Sequence, residues 1–321
     1  MKNTTLGIGL AGLGRHGQRY AQHLLRDEVS HAHLAAVWRR NTARAETWAS
    51  EHGVASSESL EALIDDERVD AVVLVLPPGL HAKGVELAAE AGKPVLVEKP
   101  LAAHAAEARN ALDAVQRAGV PAMVAQTLRF NHVVKAMKKE LTSIGPVHIA
   151  ALNQRFEPVD LDWLDDEQHG GVILNTGVHG VDLLHFLTGA RITDVSARSG
   201  RRAEKAGRKE DHFAALLHLE PGPILATLDN SRATGGRSGR IEMVGERGQL
   251  VGDHVHGHLA RIEERRWIPL DPGPMTHTVC ETLIAFVDSV RNGSPVPIPL
   301  EDGLAAVEAV EAILESSSIR S

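Results

Sequence analysis

Residues 72–76, Val-Val-Leu-Val-Leu, are apolar at five successive positions, and a strand without a polar face is one covered on both sides. This run lies within a strand predicted at 70–76, and further short apolar runs predict strands at 6–13, 33–38, 94–98 and 121–126. Between them the apolar positions return every three or four residues, which predicts helices at 18–26, 42–52, 59–65, 81–91 and 105–118. Gly53, Gly92 and Gly119 stand where a helix hands over to the next strand, the place for a left-handed cap. Strands alternating with helices in this way build a parallel sheet with helices on both faces.

Beyond Pro146 the rhythm changes. Strands are expected at 147–156, 193–199, 213–219, 224–230, 240–244 and 259–263, interrupted by a helix at 178–187 and followed by helices at 279–291 and 304–315. Consecutive strands imply a mostly antiparallel sheet with one face open. The reading is therefore α/β. A doubly wound parallel sheet of Rossmann type spans 1–126, and an α+β domain with an open sheet spans 127–321, its last helices able to pack back on the first domain.

The first apolar run feeds directly into Gly12-x-Gly14-x-x-Gly17, followed by a helical pattern with Tyr20, Ala21, Leu24 and Leu25 on one face. In a strand–turn–helix context this spacing is the phosphate turn of a dinucleotide site. The first glycine turns the chain, the second admits a pyrophosphate, and the third lets the helix pack closely with its N–H groups aimed at the phosphates. A chain that selects NAD places an acid about 20 residues further on, at the end of the second strand, to accept from the ribose hydroxyls. Here that strand ends Trp38-Arg39-Arg40-Asn41. Guanidiniums attract a 2′-phosphate and accept nothing, so NADP is favoured, with NAD as the alternative.

Composition narrows the partners. A net charge of -8 over 321 residues argues against nucleic acid or an anionic membrane. Cys280 is the only cysteine, which rules out an intrachain disulfide and a cluster of thiolates and suits the cytoplasm. No stretch is long enough to span a bilayer.

Two further clusters fall at the carboxyl ends of predicted parallel strands, where such sheets collect ligands: Leu76-Pro77-Pro78-Gly-Leu-His81 and Glu98-Lys99-Pro100. With these, the chain resembles the glucose-fructose oxidoreductase/inositol dehydrogenase/MocA family over nearly its whole length. The shared features also include Gln126-x-x-Arg129-Phe130 and Gly170-Gly171-Val-Ile-Leu-Asn175-Thr-Gly-Val-His179-Gly-Val-Asp182. The closing segments around Phe286–Gly293 and Glu301–Ala305 fit as well.

The resemblance implies hydride exchange between a nicotinamide and a secondary alcohol or ketone of a sugar, cyclitol or related polyol. It puts cofactor contacts at Gly12, Leu13, Gly14, Arg15, His16, Gly17, Arg39, Arg40, Leu76, Pro77, Pro78, His81, Glu98, Lys99 and Gln126. It makes Lys99 the partner of the reacting oxygen, Glu98 a contact of the nicotinamide ribose, and His179 the general acid/base. It also implies a homodimer or homotetramer formed through the open sheet. Loss of a hydride requires loss of the hydroxyl proton in step, which suits an imidazole, and an ammonium stabilises the developing alkoxide.

One position departs from the family: where an acid is usual, this chain has Asn175, which carries no charge but can orient a substrate hydroxyl. Arg129 and Arg155 either reach the substrate or form salt bridges; if both line a cleft, an acidic sugar fits. Likewise His179, Asp182 and His185 share a helix face and could pair among themselves. Two other functional classes stay open: a non-catalytic dinucleotide sensor, and a glycoside-cleaving relative that oxidises transiently. Retention of both Lys99 and His179 favours the oxidoreductase.

Two features invite over-reading. Asp253-His254-Val-His256-Gly-His258 alternates, and a strand there would put three imidazoles on one face, but no metal is expected. The Arg198–Lys209 run is basic without aromatics and reads as a solvated hairpin.

Overall fold

A computed structural model of the chain describes residues 5–158, 170–202 and 209–318. They form two compact units, Met1–Thr127 with His277–Leu304, and Leu128–Thr276 with Ala305–Ser321. The basic run at 198–209 lies partly outside the described residues. Among the described residues no helix is long and apolar enough to cross a membrane.

In the first unit β1 (Leu6–Ala11), β2 (Ala32–Trp38), β3 (Ala55–Ser56), β4 (Ala71–Leu74), β5 (Val95–Glu98) and β6 (Ala122–Ala125) form one sheet in the order β3-β2-β1-β4-β5-β6. All its pairings are parallel. Every residue of β4, β5 and β6 is buried, as the unbroken apolar runs require. The helices are α1 (Gly17–Leu25), α2 (Thr42–His52), α3 (Leu60–Asp65), α4 (His81–Glu90) and α5 (Ala105–Ala118). Gly53, Gly92 and Gly119 have φ of 64°, 69° and 67°, the left-handed conformation expected of them. α3 is capped by Ser59 Oγ, which accepts from Ala62 N. The unit also holds α8 (Thr278–Asn292).

The second unit holds an eight-stranded sheet in the order β14-β13-β12-β11-β7-β10-β9-β8. Its strands are β7 (Val147–Arg155), β8 (Arg191–Gly200), β9 (His212–Glu220), β10 (Ile224–Ser231), β11 (Ser238–Gly245), β12 (Gly248–Asp253), β13 (His258–Glu263) and β14 (Arg266–Leu270). Only β7 and β10 run parallel. Burial alternates with period two: Ala150, Leu152 and Gln154 of β7 are buried, while Ile149, Ala151, Asn153 and Arg155 face the other way. The same open face carries Leu216 and Leu225, about half exposed like Ile149.

The buried face is covered by α6 (His132–Ile144) and α7 (Val178–Thr188). A Cβ on Gly252 of β12 would meet Met137 and Val133 of α6, and one on Gly180 of α7 would run into Leu228 of β10. The chain ends in α9 (Leu300–Ser318).

Candidate active site

The glycine turn has the stereochemistry its spacing implies. β1 stops at Ala11 because Gly12 leaves the strand with φ 104°, and a Cβ there would overlap the Val75 carbonyl oxygen. At Gly17, the first residue of α1, a Cβ would overlap the Gly12 carbonyl oxygen, so the helix packs on the turn only through glycine. Gly14 differs, since a Cβ there meets no protein atom within 4 Å. The space over Gly14 at a helix N-terminus is what a pyrophosphate needs, so the residues present fit a dinucleotide.

Glu98, at the end of β5, is buried and is held from three sides. Its Oε1 accepts from Tyr20 Oη at 2.6 Å and pairs with His16 Nε2 at 2.7 Å, and its Oε2 accepts from Lys99 N at 3.0 Å. Burial pushes its pKa up, but His16, Lys99 and the Tyr20 hydrogen bond outweigh that and bring it down to about 2. Burial and the neighbouring carboxylate raise the Tyr20 phenol well above its ordinary value. The structure thus engages Glu98 with the helix that follows the glycine turn, a use that neither spacing nor resemblance suggests.

His81 spends both ring nitrogens on the backbone. Nδ1 donates to Pro100 O at 2.7 Å and Nε2 accepts from Leu76 N at 3.3 Å, which together fix the neutral tautomer with its proton on Nδ1. Burial depresses its pKa. It therefore joins the loops that follow β4 and β5 and holds Leu76–Pro78 in place. Gln126 is the converse: it is buried, yet neither its amide nitrogen nor its amide oxygen has a hydrogen-bond partner. A buried amide left unsatisfied beside the end of β6 is a polar group awaiting a ligand. Arg39 and Arg40 follow β2 directly; Arg39 is half-buried and Arg40 exposed.

In the second unit α7 is entered through a π-helical turn, Ile173–Gly177, which holds Asn175 and Thr176 buried; His179 follows in the first turn of α7. Single π turns are frequent at functional sites because they re-aim side chains. Arg232, which sequence reasoning passed over, donates from Nε to Thr176 Oγ1 at 2.9 Å and lies over the Phe156 ring, as does Arg237. Burial and Arg237 lower its pKa against the pull of Glu157. Glu210 Oε1 accepts from Ile173 N at 3.1 Å, and burial raises its pKa. No periodicity marks Arg232 or Glu210, because loops bring them to the π turn.

Both arginines form ion pairs. Arg129 is buried and grips Asp182 of α7 with Nε to Oδ2 at 2.9 Å and Nη2 to Oδ1 at 2.5 Å. Arg155 pairs with Asp229 on the open face of the sheet, in a concavity of about 850 Å³ also lined by Arg198, Arg202 and His212. That face is opposite the one α7 covers. The three histidines near 256 also differ from expectation: residues 254–257 form the turn between β12 and β13 rather than a strand. His254 is buried against Gly239, and His256 Nε2 bonds Arg237 O.

Comparison with known proteins agrees with this architecture. Residues 6–126 match the profile described as "Oxidoreductase family, NAD-binding Rossmann fold", and residues 138–321 match "Oxidoreductase family, C-terminal alpha/beta domain". The chain is 31% identical to inositol 2-dehydrogenase 2 of Saccharopolyspora erythraea, covering 97% of this chain and 93% of that one. It is 29% identical to the scyllo-inositol 2-dehydrogenase (NAD(+)) of Bacillus subtilis, covering 93% and 92%. Among solved structures, scyllo-inositol dehydrogenase from Lactobacillus casei with bound NAD(H) and scyllo-inositol aligns with a TM-score of 0.83 at 26% identity, over 98% and 97% of the two chains. With both domains matched across most of its length, the chain belongs to the glucose-fructose oxidoreductase/inositol dehydrogenase/MocA family of oxidoreductases.

Proposed function

We propose that this oxidoreductase prefers NADP and acts on a secondary alcohol of a cyclitol or closely related sugar. The observation that carries the reading is the fixed backbone at Glu98–Lys99. Glu98 is anchored to Tyr20 and His16 and accepts from Lys99 N, so Lys99 is presented from a rigid strand end. Ligands of a doubly wound sheet bind at the carboxyl ends of its strands. The names of the relatives, inositol dehydrogenases among them, support the substrate class.

When bound, the nicotinamide supplies or accepts the hydride. Gly12–Gly17 and the start of α1 hold the pyrophosphate, Gln126 satisfies its amide on the cofactor, and Arg39 and Arg40 meet the 2′-phosphate. Lys99 stabilises negative charge on the reacting oxygen, and His179 takes the hydroxyl proton during oxidation or returns it during reduction. Asn175, held buried in the π turn, orients a substrate hydroxyl without itself taking a proton. The open face of the second sheet, with Ile149, Leu216 and Leu225 exposed, pairs with another copy of the chain in a dimer or tetramer. The single half-buried thiol suits a cytoplasmic setting.

Titration calorimetry of nucleotide-free protein with NADPH and NADH tests the cofactor choice. A clear NADPH preference that disappears in Arg39→Ala/Arg40→Ala supports it; equal or tighter NADH binding overturns it. Inositol isomers and aldoses assayed with the preferred cofactor test the substrate class. A monomer in analytical ultracentrifugation would overturn the proposed assembly.

A further inference from the structure

His23 and Glu28 lie five residues apart at the end of α1 and Cys280 is distant in sequence, yet one ligand atom from each lies within 4.8 Å of the other two. Among the described residues they are the one group of three or more metal-ligating side chains so placed. His23 Nδ1 lies 2.5 Å from Glu28 Oε2, and Cys280 Sγ lies 3.7 Å from the Glu28 carbonyl oxygen. His277, just before α8, brings its ring centroid to 6.2 Å from that of His23.

We propose that these residues form a zinc-class metal site, with His23 Nδ1, a Glu28 carboxylate oxygen and Cys280 Sγ as its three protein ligands and the fourth position left to water. Imidazole nitrogen, carboxylate oxygen and thiolate sulfur are the donors Zn²⁺ takes, at about 2.0–2.3 Å in a tetrahedron. Such a tetrahedron holds its ligand atoms about 3.3–3.8 Å apart, so His23 Nδ1 and Glu28 Oε2, now 2.5 Å apart, part to admit the ion. A single cysteine excludes a cluster of thiolates but not this mixed set. Mg²⁺ and Ca²⁺, which want oxygen throughout, are the wrong size and softness for it.

The surroundings suit a cation. His23 lies in the last turn of α1, whose carbonyl end is partially negative, and Cys280 lies in the first turn of α8, where burial, Glu28 and Glu281 raise its pKa and keep the thiol protonated until a metal displaces the proton. Glu28 and a Cys280 thiolate together balance a divalent charge. The metal replaces the proton now shared by His23 and Glu28 and displaces the thiol proton to solvent. The ion would fasten the end of α1 to the start of α8 within the first unit, a structural staple.

The test is Zn²⁺ titration of untagged, chelator-treated protein by calorimetry, beside Cys280→Ser and His23→Gln. The expected result is one equivalent bound at sub-micromolar Kd, weakened at least about tenfold by either substitution. Saturating Zn²⁺ should raise Tm by about 5 °C in the unmodified protein alone. With Co²⁺ in place of Zn²⁺, a thiolate-to-metal charge-transfer band should appear in the near ultraviolet and vanish in Cys280→Ser. Absence of binding overturns the proposal. So does affinity unchanged in His23→Gln, which would mean adventitious binding by other histidines and decides the question even if Cys280→Ser does not fold.

Discussion

Tyr20 donates to Glu98 Oε1 at 2.6 Å with both side chains buried, and this bond ties the helix after the glycine turn to the strand end that presents Lys99. Removing the donor leaves a buried carboxylate short of a partner. Tyr20→Phe should destabilise the protein by about 1.5–3 kcal/mol at neutral pH, read from thermal or urea unfolding.

The same carboxylate has a pH signature. Its pKa lies near 2 when folded against an ordinary 4.5, so the folded state binds this proton less readily than the unfolded chain. Its contribution is therefore complete above pH 4.5 and is lost as pH falls toward 2, amounting to about 3 kcal/mol. The stability gap between the unmodified protein and Glu98→Gln should narrow across that window. A gap that is constant with pH would show that Glu98 is not held ionised.

Gly14 and Gly17 should separate binding from folding. A side chain at Gly17 collides with backbone and must disturb the packing of α1, so Gly17→Ala lowers Tm. One at Gly14 meets no protein atom, so Gly14→Val keeps a near-native Tm and loses affinity for dinucleotide by about a hundredfold or more as it fills the pyrophosphate space. Calorimetry and thermal melts on the two variants check both halves.

The assigned roles of Lys99 and His179 predict kinetic rather than binding defects. Lys99→Met and His179→Asn should each lower kcat by about 10²–10⁴-fold, and in His179→Asn the Kd for the cofactor should change little. His179→Asn should also remove the limb of the pH–rate profile that reports the base. Turnover unchanged in both variants would transfer the chemistry to other residues and revive a sensor role.

How far the sequence could be read follows from the range of each interaction. The first sheet was legible almost strand by strand, because burial on both faces writes itself as Val72–Leu76 and because Gly53 and Gly119 mark helix ends locally. In the second unit α6, β12 and β14 escaped notice. Val133, Val134 and Met137 bury one face of α6, but the helix is interleaved with lysines, and Gly248 and Gly252 dilute the β12 pattern. At the site, the glycine turn and Glu98-Lys99 are contiguous motifs and could be found. Arg232 on Thr176, Glu210 on Ile173 and Tyr20 on Glu98 are separated by 56, 37 and 78 residues, so only the fold brings them together.

Arg129 and Asp182 supply the last test, since the two readings of Arg129 predict opposite observables. The pair is buried, bidentate and flanked by Phe186, over which the Arg129 guanidinium lies at 5.1 Å. Asp182 follows His179 by one helical turn, so the pair fixes the helix that carries the proposed base. Asp182→Asn strips the charge from one partner of a buried pair, costing about 3–5 kcal/mol, whereas Arg129→Met with Asp182→Leu removes both charges of the pair and should recover most of that. Arg129→Lys keeps the charge but loses the fork and should fall between them. An arginine that bound substrate would raise KM and leave Tm untouched. A large loss of Tm, rescued by the double substitution, identifies Arg129 as a positioning residue of α7.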